Sequence, residues 1–135
     1  MTHGARGSRV LVVDDEASIT QLLDLALTMD GFVVTKAHSG REALRMVHDC
    51  DLMVLDLMMP EMDGLTVIRH VRESPDLAEL PVVMLTAKTD GVTAALARAA
   101  GVSAFHTKPV NLPHLTLDIR ALLGQDPTSG LPSSA

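Results

Sequence analysis

The sequence predicts an α/β fold, a parallel sheet with helices packed on both faces. Short apolar runs alternate with helix-period segments five times along the chain, the pattern of successive βα units. Several of the runs, VLVV and LMVLDL among them, are continuously apolar. That is the mark of strands covered on both sides and not of strands with one wet face. A length of 135 residues suits one compact domain and hardly leaves room for two.

In chain order, the strands are predicted at 9–13, 32–36, 51–55, 82–85 and 104–107. Ile19, Leu22, Leu23 and Ala26 form the stripe of a first helix, which Gly31 is placed to end. Ser39 and Glu42 make a capping-box pattern for a second helix carrying Ala43, Met46 and Val47. Leu65, Ile68 and Val71 mark a third, and Gly64 lets it start close to the preceding loop. The Ala-rich stretch 92–100 ends at Gly101. Asn111 is the expected N-cap of a last helix with Leu112, Leu115, Ile119 and Leu122 on one side. The domain is thus expected to span 9–123, after a polar, disordered N-terminus at 1–8. The segment 124–135, GQDPTSGLPSSA, reads as a flexible tail or truncated linker.

Composition narrows the function. With 47% hydrophobic residues and only Phe32 and Phe105 as aromatics, the core must be aliphatic. Eleven basic against seventeen acidic residues give a net charge of −6, which argues against direct nucleic acid binding through phosphates. The single Cys50 permits no internal disulfide and reads as a small hydrophobe in a reducing, cytoplasmic setting. No apolar run approaches the roughly 18 residues of a membrane span, and MTHGARGSR lacks the apolar core of a secretory signal.

The stretch VLVVDDEAS poses the chemical question, because it runs a core strand straight into three acids. Burying unpaired carboxylates costs several kcal/mol or more. In an open parallel sheet, ligands bind beyond the carboxyl ends of the strands. There the first strand delivers Asp14, Asp15 and Glu16, the third Asp56, the fourth Thr86 and the fifth Lys108. Clustered carboxylates raise the cost of ionising one another. A divalent cation relieves this, and all-oxygen ligation favours Mg²⁺ or Mn²⁺. A Lys and a Thr hydroxyl alongside suit a phosphoryl group. No phosphate-binding glycine loop is present, so the nucleophile is expected to be a carboxylate of the protein itself.

Taken singly, these residues have ordinary readings. Glu16 could cap the first helix, Asp56 could open a turn, and Thr86 could simply end a strand. Lys108 alone would be solvated surface, and Phe105 alone plain core. Met58, Met59 and Met62 read as turn and packing residues, and no histidine pair has metal-ligand spacing.

Together, VVDDE, LDLMMPEMDG, LTAK and AFHTKP, in this order on successive strands, resemble the receiver domain of two-component response regulators, of the single-domain, chemotaxis-regulator-like kind. The resemblance runs from about 9 to 123. It implies a flavodoxin-like, doubly wound five-stranded parallel sheet in the order 2-1-3-4-5 with five helices. It also implies that Asp56 is the phosphoacceptor, taking a phosphoryl group from a histidine kinase or phosphotransfer protein. Asp15, Asp56 and the backbone carbonyl of Met58 would ligate Mg²⁺, with Asp14 acting through water. Thr86 and Lys108 would hold the phosphoryl oxygens, and Thr86 and Phe105 would act as the switch. Lys108–Pro109 matches a bond often cis in the family. Output would pass to a downstream protein through the face of the fourth helix, fifth strand and fifth helix, without turnover of an external substrate. One departure stands out. Val102-Ser103-Ala104 replaces an acidic pair that joins salt bridges across a dimer face in transcription-factor receivers, so a monomer or weak dimer is expected.

Three rival readings fit parts of the pattern. A Mg²⁺-dependent aspartyl-phosphate phosphatase shares the carboxylate nucleophile, but Met58 stands where its second acid belongs and no cap domain is present. A flavodoxin-like cofactor binder is opposed by acids where a phosphate loop should lie. A phosphate-independent docking module with a receiver-like fold is opposed by the intact acid, Thr and Lys set.

Overall fold

The computed structural model describes residues 7–87 and 90–125. Five parallel strands, β1 (Arg9–Val13), β2 (Val33–Ala37), β3 (Leu52–Asp56), β4 (Val82–Thr86) and β5 (Ala104–Thr107), form one sheet in the order β2-β1-β3-β4-β5. The connecting helices are α1 (Ala17–Met29), α2 (Gly40–Met46), α3 (Gly64–Glu73), α4 (Gly91–Ala100) and α5 (Leu112–Leu122). Short 3-10 turns follow α2 at Val47–Asp49 and α3 at Pro75–Leu77. This is the predicted flavodoxin-like order with its five helices.

Alternate residues of each strand feed two separate cores. Val10, Val12, Leu52, Val54, Val83 and Leu85 face α1 and α5, where they meet Leu23, Leu27, Leu115 and Ile119. Leu11, Val13, Met53, Leu55, Val82 and Met84 face the other way, against Val67, Ile68, Val71 and Ala97. The period-2 side-chain alternation of a strand makes both sets apolar, hence the unbroken runs in the sequence.

Where boundaries shift from expectation, a hydrogen bond explains the shift. The Phe32 N–H donates to Leu27 O at 3.1 Å, so this residue closes α1 and the ladder begins at Val33. The Asp51 carboxylate accepts the Arg9 N–H at 2.7 Å, so Asp51 caps the start of the β1–β3 ladder and β3 begins at Leu52. The stripe expected on α1 holds at Leu23, with Ile19 and Ala26 half-buried, and fails at Leu22. Thr20, Leu23 and Leu27 are buried, whereas Leu22 is 43% exposed. Leu22 turns to the solvent side of the stripe, and Leu27, overlooked in the sequence, completes the turn spacing from Leu23. On α3, Val67 joins Ile68 and Val71 in the core, and Leu65 is only half-buried.

The expected caps form. The Ser39 hydroxyl accepts from Glu42 N–H at 3.1 Å, while the Glu42 carboxylate reaches back to His38 N–H at 2.8 Å. Asn111 accepts from His114 N–H at 3.0 Å. Gly101 ends α4 in the left-handed region at φ 107°, a conformation that glycine adopts at least cost.

Most of the terminal segments 1–8 and 124–135 lies outside the described residues. Of these segments, Gly7, Ser8, Gly124 and Gln125 are described, and Gln125 Nε2 donates to Ser8 Oγ at 2.8 Å. No described helix is long and apolar enough to cross a membrane.

Candidate functional site

Strand register brings the predicted residues together. Val13 lies beside Leu55, so the next residues of the two chains, Asp14 and Asp56, emerge side by side. Asp56 lies beside Leu85, which sets Thr86 one step further along. Thr86 in turn lies beside Thr107, and Lys108 follows. The Lys108 N–H donates to Thr86 O at 2.8 Å, and the Lys108–Pro109 peptide is cis. Asp56, Thr86 and Lys108 are thereby fixed by sheet geometry and not by a free loop.

Asp14 and Asp56 are buried, Asp15 is exposed, and one carboxylate oxygen from each of the three lies within 4.8 Å of the others. The Lys108 ammonium reaches across to Asp14 Oδ2 at 2.9 Å and Asp56 Oδ1 at 3.4 Å. Asp14 also accepts the Glu16 N–H at 2.9 Å, and Met58 N–H points at Asp56 Oδ1 at 3.4 Å. Glu16 stands at the N-cap of α1 without a side-chain cap bond and is not part of the acid group. The rim therefore gathers three carboxylates, with Glu16 outside them.

The electrostatics follow from this crowding. Burial, with the neighbouring Asp14 charge adding to it, pushes the Asp56 carboxyl up to about 6, only partly countered by Lys108. Burial works against the Lys108 charge too, but its contacts with Asp14 and Asp56 prevail and hold its pKa above the ordinary lysine value. Among the described residues one ammonium is left to serve two buried carboxylates, and the exposed Asp15 opens this group to solvent. An oxygen-only cluster with this deficit of positive charge fits a hard divalent cation such as Mg²⁺.

The remaining predicted residues take varied places. Met58 is 55% exposed, so its side chain makes no metal box and only its backbone faces Asp56. Thr86 is buried at the end of β4. Phe105, beside Met84 in register, is half-buried at the sheet edge and packs against the α3/α4 core. Gly64 fits its role closely. Its N–H donates to Leu57 O at 2.8 Å, and a Cβ there would stand 2.6 Å from Asp56 O. Any side chain at 64 would push on the strand end that carries Asp56.

Sequence reasoning overlooked three residues that shape the surroundings. Asp63 and Asp90 cap α3 and α4, accepting from Thr66 and Thr93 N–H at 3.0 and 2.6 Å. An acid three residues before a threonine at each helix start was the available signal. Ser103 pins the start of β5 to β4 through its N–H to Val82 O at 2.7 Å and its hydroxyl to Val82 N–H at 3.0 Å. No local pattern announced it.

A family model described as the response regulator receiver domain matches residues 10–120. Among curated proteins, the transcriptional regulatory protein TrcR of Mycobacterium tuberculosis is 39% identical over 125 residues, covering 90% of this chain and 48% of that protein. The response regulator MprA of Mycobacterium ulcerans is 42% identical over 118 residues, covering 85% and 50%. The DNA-binding response regulator MtrA of Mycobacterium leprae is 39% identical over 117 residues, covering 85% and 51%. The chain thus spans about half the length of these relatives. Among solved structures, the chemotaxis protein CheY4 of Vibrio cholerae superposes with a TM-score of 0.81 at 30% identity, covering 86% of this chain and 98% of that one. A response regulator from Chloroflexus aurantiacus gives 0.84 at 30% identity, covering 88% and 99%. With fold, site order and family model in agreement, the chain belongs to the receiver domains of two-component response regulators.

Proposed function

We propose that this receiver domain accepts a phosphoryl group on Asp56 and transmits the event through α4, β5 and α5 to a protein partner. Receiver domains generally bind Mg²⁺ at an acidic pocket, and Asp14, Asp15 and Asp56 form such a cluster here. The observation that carries the reading is the convergence of this cluster with Lys108, 3.4 Å from Asp56. No structural economy explains two buried acids sharing one ammonium. A site for a dianionic group and its cation does.

In the reaction, a carboxylate oxygen of Asp56 attacks the phosphorus of a phosphohistidine on a histidine kinase or phosphotransfer protein. The phosphorus–nitrogen bond breaks as the new phosphorus–oxygen bond forms, and the leaving imidazole takes a proton from solvent. Bound Mg²⁺ would neutralise charge on the transferring oxygens, held by Asp15, Asp56 and the backbone carbonyl of Met58, with Asp14 behind them. Lys108 leaves its contact with Asp56 for a phosphoryl oxygen, and the Thr86 hydroxyl turns to another. That rotation withdraws Thr86 from its present position and lets Phe105 turn inward. The net charge of −6 favours protein partners over direct nucleic acid contact for this domain. The term DNA-binding belongs to the longer MtrA proteins.

The test is incubation with acetyl phosphate and Mg²⁺, read by intact-mass spectrometry. The chain should gain one phosphoryl group, and Asp56→Asn should gain none while keeping its fold by circular dichroism. Phosphoryl incorporation undiminished in Asp56→Asn contradicts the assignment. No incorporation in the unaltered chain favours the phosphate-independent docking reading.

A further inference from the structure

Arg72 lies outside the acid pocket, toward the amino ends of β4 and β5, and would pass as a solvated cation in the last turn of α3. Its guanidinium instead makes four hydrogen bonds to three backbone carbonyls. Nε and Nη2 donate to Gly101 O at 3.1 and 2.8 Å, and Nη1 donates to Leu77 O and Ala78 O, both at 3.2 Å. Gly101 is the C-cap of α4, and Leu77 ends the 3-10 turn after α3. One planar fork therefore closes the carbonyl end of α4 and of the 3-10 turn while standing in the last turn of α3, where the helix ends favour a cation. The fit is close, because a Cβ on Gly101 would stand 2.9 Å from Arg72 Nε.

The other end of α4 is held differently. Its N-cap Asp90 follows closely on Thr86 in the chain, and along the helix only Thr93 and Ala97 are buried. Val92 and Leu96 are 70% and 52% exposed. The helix is thus clamped from outside where it leaves toward β5, and its Val92–Leu96 face stays exposed.

We propose that Arg72 is a positioning residue that makes the Gly101 end of α4 a fixed pivot, so that a change at Thr86 swings the Asp90 end of the helix and leaves the other end in place. The clamp itself stands on the geometry above, and its part in switching rests on the phosphoryl-acceptor reading. A fixed pivot converts a small displacement at the pocket into a tilt of the Val92–Leu96 face. A helix free at both ends would slide or fray instead.

Site-resolved hydrogen exchange on the whole chain separates the two parts. Without ligand, the Gly101 and Val102 amides, both bonded to Ala97 O at 3.2 Å, should exchange at least about tenfold faster in Arg72→Met, with β1 and β3 amides changed far less. Arg72→Lys, which keeps the charge but not the fork, should fall between. With Mg²⁺ and beryllium fluoride as phosphoryl mimic, protection in the unaltered chain should change around 91–96 and stay constant at 97–102. In Arg72→Met the change should spread to 97–102. Equal slowing or quickening everywhere, or unchanged exchange at Gly101 and Val102 in both variants, overturns the clamp. A mimic response already spread along all of α4 in the unaltered chain overturns the pivot. Absence of any mimic response contradicts the proposed function and removes the motion the pivot would serve, and the ligand-free arm then decides the clamp alone.

Discussion

The half of the sheet that carries the acids is seated deeply, and the half expected to carry the output is not. Every residue of β3 is buried, and α3 sinks Gly64, Val67, Ile68 and Val71 into the core. By contrast, α4 buries only Thr93 and Ala97, and all four residues of β5 keep some exposure. The lesson is about division of labour. Two buried carboxylates and an ammonium can be held at 2.9 to 3.4 Å only on a rigid frame. A change of charge on that frame has to be expressed where packing is thin, because closely packed interiors have little freedom to rearrange.

The largest expected effect breaks this contrast by deleting side chains on each side of it. Leu11→Ala, at a fully buried position of β1, should cost about 2–5 kcal/mol in urea unfolding. Leu96→Ala, on the half-exposed α4 face, should stay within about 0.5 kcal/mol, since it leaves no cavity and alanine favours helix. Comparable losses would mean that α4 is seated as firmly as the rest.

The next effect sharpens the role of the acid cluster. Mg²⁺ at a hundred times its dissociation constant should raise stability by about 2.7 kcal/mol through mass action. Asp15→Asn should lose most of that gain, and calorimetric titration should show the weaker binding directly. Equal Mg²⁺ affinity in the two proteins would remove Asp15 from the metal site.

A smaller effect concerns pH. In the metal-free protein the folded-state pKa of Asp56, about 6, lies above its ordinary 3.8. At low pH the group is protonated in both folded and unfolded chains and contributes nothing. As pH rises through the window from about 4 to 6, the unfolded chain ionises first, so folded stability falls. Above that window the penalty is constant, about 1–3 kcal/mol. Lys108, held above its ordinary 10.5, stays charged throughout and does not confuse the measurement. Asp56→Asn should therefore stabilise the metal-free protein at pH 7 by about that amount and lose the advantage by pH 4. A stability difference independent of pH would mean that burial and Asp14 do not strain this carboxylate.

How much of this was legible in the sequence depends on the physical range of each interaction. Asp14, Asp56, Thr86 and Lys108 could be brought to one rim from the sequence, because a parallel sheet aligns strand ends, the first three directly follow apolar runs and Lys108 follows the predicted last strand. Gly64 was legible for the same local reason. The exposure of Leu22 and the burial of Leu27 were not, because helical phase depends on which face the sheet presents. Arg72 and Ser103 were invisible, since their partners are backbone carbonyls and amides, the farthest 29 and 21 residues away, and backbone groups leave no mark in a sequence. The opposition of Lys108 to Asp14, 94 residues apart, lies between these cases, since strand order places it only once the fold is assumed.

The smallest expected effect is a null one on assembly. Val102, Ser103 and Ala104 carry no charge for a salt-bridged dimer face, and Ser103 is committed to Val82. Light scattering at micromolar concentration should report a monomer, or at most a weak dimer, with and without Mg²⁺ and beryllium fluoride. A tight dimer appearing only with the mimic would show that the thin α4–β5 side is completed by a second copy.

The most direct test of the contrast between the two halves is amide chemical-shift mapping by NMR as Mg²⁺ and beryllium fluoride are added. Beyond the residues that touch the pocket, shifts should concentrate between Asp90 and Thr107, with β2 and the C-terminal half of α1 nearly still. Shifts spread evenly over the domain, or concentrated in α1 and β2, would contradict the account, because the charge change would then bypass the thinly packed α4–β5 side.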